Sequence, residues 1–121
     1  MKGRLAELRF EPEGDVVIAR VEGEVDGSNA AALRASLSEQ VPNTALGLVL
    51  DLSDTSYLDS SGIQLLFELA AQLRTRRQHL RLVVPDNSPM RRVLELCDVA
   101  SVAPIDPGAD GASGRLRETA S

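Results

Sequence analysis

The run Leu46-Gly47-Leu48-Val49-Leu50-Asp51-Leu52 shows no alternation of apolar and polar side chains. A strand with one face in water alternates, whereas an unbroken apolar strand is buried on both faces, as in the centre of a parallel or mixed sheet. Helices must therefore cover at least one face. The chain supplies one soon afterwards: Ile63, Leu66, Phe67, Ala70 and Leu73 recur at i, i+3, i+4 and i+7 spacing, while Gln64, Glu68 and Arg74 fall largely elsewhere. This predicts an amphipathic helix from Ile63 to Leu73.

The flanking segments extend the pattern. Leu5 to Phe10 and Val16 to Glu22 are rich in strand formers and are separated by Glu11-Pro12-Glu13-Gly14-Asp15, which reads as a hairpin turn. Gly23-Glu24-Val25-Asp26-Gly27-Ser28-Asn29 is a polar loop whose end offers N-cap residues for a helix through Ala30, Leu33 and Leu37, fading near Gln40 before Pro42. Leu80 to Val84 is a further strand. Ser88 as cap and Pro89 at the first helical position then open a third helix that buries Met90, Val93, Leu94 and Cys97, and Val99 to Ile105 is expected to hold a last short strand. From Asp106 onward Leu116 is the only large apolar side chain, which predicts a disordered C-terminal tail. The expected fold class is α/β: a small mixed β-sheet with α-helices packed against it, as one domain of residues 1–105 followed by a tail of residues 106–121.

Composition excludes several functions. A chain of 121 residues is long enough for one core without disulfide or metal support, but Phe10, Tyr57 and Phe67 are its only aromatic side chains. Stacking platforms for bases are missing, the formal net charge is -5, and basic residues are scattered, all of which argues against nucleic acid. The single cysteine, Cys97, rules out an internal disulfide and is expected to be a buried structural thiol. Met1-Lys2-Gly3-Arg4 leads into no long apolar segment, and no apolar run approaches the ~20 residues of a membrane span. A cytoplasmic protein with no membrane partner is the expectation.

Asp59-Ser60-Ser61-Gly62 is the richest functional segment, lying just before the helix that follows the buried strand. A serine there has three uses: helix cap, nucleophile or phosphorylation site. Nucleophile chemistry lacks parts. The glycine that a G-x-S-x-G elbow needs two places before the serine is replaced by Leu58 before Ser60 and by Asp59 before Ser61, and the only histidine, His79, sits at the far end of the intervening helix, where it is expected to be a surface residue. Asp51, Asp54 and Asp59 read as strand end, turn former and polar cap rather than as a Mg²⁺ site, and no phosphate loop is present. A small hydrolase or nucleotide-binding enzyme on Ser60 or Asp59 is thus the weakest reading, and no cofactor or metal is expected.

The segment Leu48-Val49-Leu50-Asp51-Leu52-Ser53 followed by Tyr57-Leu58-Asp59-Ser60-Ser61-Gly62-Ile63 resembles the signature of the STAS-domain anti-sigma factor antagonists, the SpoIIAA-like family. Gly23-Glu24-Val25-Asp26 resembles that family's G-E-L-D segment, and Ser88-Pro89-Met90-Arg91-Arg92-Val93-Leu94-Glu95-Leu96 resembles its last helix, so the likeness spans about residues 5–105. It implies a non-enzymatic module whose unphosphorylated form binds an anti-sigma factor serine kinase and releases a sigma factor. It also implies that phosphorylation of Ser60 abolishes binding and that a PP2C-type phosphatase restores it. Asp26, Asp59, Ser60, Ser61 and Gly62 would form the partner-binding surface. The alternative within the same fold is a scaffold subunit of a transport or sensory complex that is never phosphorylated. The chain departs from the family pattern at Arg76-Arg77-Gln78-His79, where a glycine pair is usual, and at Asp98, where a glycine is usual. A phosphate carries about -1.5 to -2 charges. At a helix N-terminus it is expected to stabilise mildly, by roughly 0.3 to 1 kcal/mol, so the switch should act on the complex and not on the fold.

Overall fold

The computed structural model describes residues 5–120. Met1 to Arg4, which begin the expected domain, and Ser121, which ends the expected tail, lie outside the described residues. Strand β1 (Glu7–Glu13) and β2 (Val16–Val25) form the antiparallel hairpin, turning at Gly14, whose φ of 62° suits glycine. Strand β3 (Gly47–Asp51) lies parallel to β2, β5 (His79–Val83) parallel to β3, and the two-residue β6 (Ile105–Asp106) parallel to β5, giving the order β1-β2-β3-β5-β6. A short strand β4 (Thr55–Leu58) pairs with the far end of β2. The sequence reading missed β4 because its two central residues are exposed and no alternation survives in four residues. Its pairing also extends β2 through Gly23, Glu24 and Val25, three residues expected in the loop; the strand bends at Gly23, where φ is 107° and the register shifts.

Helices α1 (Ala30–Gln40), α2 (Ser60–Thr75) and α3 (Met90–Leu96) cover one face of the sheet. Helix α1 buries Ala30, Leu33 and Leu37, as its spacing predicts. Helix α2 packs against α1 as well as the sheet, so its buried stripe centres on Leu65, Leu66, Leu69 and Leu73, with Ile63 and Phe67 half-buried on its flank. At α3 the Ser88 hydroxyl accepts the Met90 N–H at 3.1 Å and Pro89 has helical dihedrals. Cys97 ends the helix exposed, not buried: α3 stops after seven residues, and the chain leaves through Asp98 in the left-handed conformation before a 3-10 turn, Val99–Ser101.

The expected disordered tail is instead a helix. Helix α4 (Ala109–Ala120) lies on the opposite face of the sheet and completes a second core of Val16, Val49, Val83, Ala112 and Leu116. Polar ties from its C-terminal half hold it in place. Arg115 Nη1 donates to Asp106 Oδ1 at 3.0 Å, while Arg81 Nε donates to the other oxygen of that buried carboxylate at 2.7 Å. Arg117 donates to the Glu13 carbonyl at 2.8 Å and to Asp15 Oδ1 at 3.0 Å, and that hydrogen bond to Asp15 raises its pKa further above the usual guanidinium value. Composition failed here because three valines of a flat sheet face need only one leucine and one alanine to cover them. The fully buried β3 was the signal that both faces required cover.

Arg77 occupies the left-handed region at φ 58° after α2, in the segment where the resembled family carries a glycine pair. Its neighbours explain the tolerance: Arg76 donates to the Val41 and Ser38 carbonyls at the end of α1, and buried Gln78 donates to the Pro42 and Ala45 carbonyls. These bonds hold the turn, yet Arg77 itself is exposed with an unfavourable φ. Arg77→Gly is expected to stabilise the protein by about 0.5–1 kcal/mol, seen as a rise of a few degrees in Tm by calorimetry. A fall in Tm would show that the arginine side chain contributes more than its backbone strain costs.

Candidate functional site

The β4–α2 junction places the predicted site residues at one end of the sheet. Asp59, not Ser60, caps α2. Its backbone is extended, and its Oδ1 accepts the N–H groups of Ser61 at 2.8 Å and Gly62 at 3.2 Å. The Asp59 N–H in turn donates to the Val25 carbonyl at 3.3 Å, which docks the turn against the end of β2. Ser60 is the first helical residue and is exposed, and among the described residues no protein group hydrogen-bonds its hydroxyl. Ser61 is half-buried, its hydroxyl oxygen facing the β2–α1 loop: a Cβ built on Gly27 would stand 3.4 Å from Ser61 Oγ.

Gly62 is buried, so it shapes the surface from beneath rather than forming part of it. A Cβ there would meet Leu58 Cδ2 at 2.8 Å and Val25 Cγ1 at 3.4 Å. The glycine therefore lets the N-terminus of α2 settle directly on β2 and β4.

The loop from Asp26 is stiffened by its own side chains. Asp26 Oδ1 accepts the Ser28 N–H at 2.8 Å and the Ser28 hydroxyl; the Asp26 N–H donates to Asn29 Oδ1 at 2.9 Å; and Asn29 Nδ2 donates to the Glu24 carbonyl at 2.9 Å. Between this loop, α1 and α2 runs a shallow cleft of about 190 Å³, lined by Gly27, Ala31, Arg34, Ser61, Gln64 and Glu68, with Arg34 Nε 3.4 Å from Glu68 Oε2 across it. Arg34, Gln64 and Glu68 were not singled out from the sequence. Gln64 and Glu68 follow Ser61 at i+3 and i+7, a face legible as polar but with no indication of what lies opposite.

The other acidic candidates are dispersed. Asp51 is buried at the end of β3, where Arg20 Nε lies 3.4 Å from Asp51 Oδ2 and Ser53 donates to Asp51 Oδ1; exposed Asp54 is 4.0 Å from the same guanidinium. Among the described residues no group of three or more His, Cys, Asp or Glu side chains is placed to hold a metal ion. His79 is half-buried at the start of β5, beside Arg81, Leu116 and Thr119 rather than on the open surface. It stands beyond the C-terminal end of α2, whose 16 residues span about 24 Å. His79 is therefore out of reach of Ser60 as a base. Among the described residues no helix is long and apolar enough to cross a membrane.

A sheet of this order, with a serine-bearing turn at the head of α2 and a stiffened aspartate loop beside it, defines a small α/β binding module. The STAS domain profile matches residues 8–112, and the chain belongs to the STAS domain family. A Bordetella bronchiseptica protein classed among the anti-sigma factor antagonists, BtrV, is 30% identical over 103 residues, covering 84% of this chain and 87% of that protein. The crystal structure of an anti-sigma factor antagonist from Mycobacterium paratuberculosis superposes with a TM-score of 0.81 at 26% identity, covering 93% of this chain and 94% of the other. SpoIIAA in its unphosphorylated form shares the fold, with a TM-score of 0.73 at 21% identity over 93% of this chain and 97% of that one.

Proposed function

We propose that this STAS protein is an anti-sigma factor antagonist and that Ser60 is its switch. The unmodified form binds an anti-sigma factor serine kinase through the surface around Asp26, Asp59, Ser60 and Ser61, with Gly62 setting the height of the α2 terminus. Binding withdraws the kinase from its sigma factor. The kinase then transfers the γ-phosphoryl group of ATP to Ser60 Oγ, the hydroxyl proton is lost, ADP leaves, and the modified protein no longer binds. A PP2C-type phosphatase hydrolyses the phosphoester and restores the serine.

One observation carries the assignment to Ser60: its hydroxyl is exposed and takes no part in capping, because Asp59 holds the helix amides. Modification of Ser60 therefore removes no structural bond. Ser61 fits the role poorly, being half-buried against the loop that carries Gly27. On this reading the protein is a binding regulator rather than an enzyme and works in the cytoplasm.

Incubation with the cognate kinase and radiolabelled ATP is expected to label wild type and leave Ser60→Ala unlabelled. In a pull-down, Ser60→Ala should retain the kinase at wild-type strength, and Ser60→Asp should lose at least about tenfold in affinity, since an unpaired buried charge costs more than 1.4 kcal/mol. Labelling of Ser60→Ala equal to wild type moves the switch to another residue.

A further inference from the structure

A helix N-terminus offers a bound anion its unpaired amides, and a phosphate on the first helical residue would ordinarily take them. Helix α2 has only one of that kind to give. Of its first four N–H groups, Asp59 N–H donates to the Val25 carbonyl, and those of Ser61 and Gly62 donate to Asp59 Oδ1; only the N–H of Ser60 itself has no partner among the described residues. The positive end of the helix is already neutralised by a carboxylate one residue from the phosphoacceptor. Among the described residues the adjoining cleft is lined by one cation, Arg34. Asp26 in the β2–α1 loop is acidic, and Arg34 of α1 already faces Glu68 of α2.

We infer that Asp59 is a positioning residue for the switch: by holding the Ser61 and Gly62 amides, it leaves a phosphate on Ser60 outward-facing, with no α2 amide but that of Ser60 itself to take. This rests on Ser60 as the phosphoacceptor. It reverses the sign of the simple helix-terminus expectation, because the modified group gains no amide cradle and instead faces the Asp59 carboxylate. The free protein keeps its α2 terminus unchanged on phosphorylation. The whole electrostatic penalty is thereby presented to the partner.

The test uses full-length protein with phosphoserine incorporated at position 60 by codon suppression, so that no kinase is involved. It compares wild type with Asp59→Asn, which keeps a capping oxygen without its charge, and with Asp59→Gly, a tolerated N-cap that leaves the amides open. In wild type, the phosphate second pKa read by ³¹P NMR is expected at or above the ordinary value of about 6, and the Ser61 and Gly62 amide resonances should move little on phosphorylation. In both variants the pKa should fall by about half a pH unit or more, the size of a helix N-terminal effect; the two amide resonances should shift downfield as phosphate takes them in Asp59→Gly, and should move little in Asp59→Asn, whose side-chain oxygen still holds them. A wild-type pKa below that of the same protein in urea, with downfield amide shifts, would overturn the inference, as would identical values in wild type and both variants. Failure of the kinase to label Ser60 would instead sink the functional proposal and leave these measurements standing.

Discussion

A chain ended after Asp106 is expected to lose most of its stability. Removing α4 uncovers Val16, Val49 and Val83 together, strips Arg115 from the buried Asp106 carboxylate and frees the hairpin turn from Arg117. Leu116→Ala alone should cost about 2–5 kcal/mol, as for other fully buried leucines, against a total of about 5–15 kcal/mol for a domain. Truncation removes that contact and the rest of the helix with it. Urea denaturation followed by circular dichroism should show a midpoint displaced far to low denaturant, and the newly exposed sheet face should bind a hydrophobic dye. A truncated protein with the wild-type midpoint would mean that α4 contributes nothing to the fold.

Gly47→Ala is expected to be comparably damaging from a single methyl group. A Cβ on Gly47 would stand 2.1 Å from the His79 carbonyl oxygen and 2.8 Å from its nitrogen, so the obstacle is the backbone of the paired strand β5. No rotamer change relieves that clash. Strands β3 and β5 would have to separate at the centre of the sheet, at a cost of about 3 kcal/mol or more, a fall in Tm on the order of 10 °C. Gly114→Ala, where a Cβ meets nothing within 4 Å, is the control and should not destabilise. An unchanged Tm in Gly47→Ala would show that the β3–β5 spacing yields easily.

Much of the architecture was legible before any coordinates. Strand β3 was identified by its unbroken apolar run, α1 by Ala30, Leu33 and Leu37, and α2 by a period that missed only the exact centre of its stripe. The place of the candidate segment was legible too: Asp59 to Gly62 falls at a strand-to-helix turn, as expected. What escaped was whatever depends on a distant partner. Strand β4 exists because Val25 and Gly23 offer it a ladder, and Thr55 Oγ1 reaches the Val21 carbonyl at 2.8 Å. Cys97 was expected inside on helical phase alone, but α3 ends one residue too soon to bury it.

By itself the amino-acid sequence determined that this chain builds a mixed sheet around a doubly buried strand and brings Asp59-Ser60-Ser61-Gly62 to the head of a helix, since period, turn chemistry and capping preference act over a few neighbouring residues. The tertiary structure decided two other matters: which side chain caps α2 and what covers the second face of the sheet. The docking of β4 on β2 sets the angle at which Asp59 meets the helix amides, so the carboxylate takes them and the Ser60 hydroxyl is left outside. A surface of three valines makes one leucine in a polar segment sufficient to fold it. Both outcomes depend on surfaces formed by residues far apart in the chain.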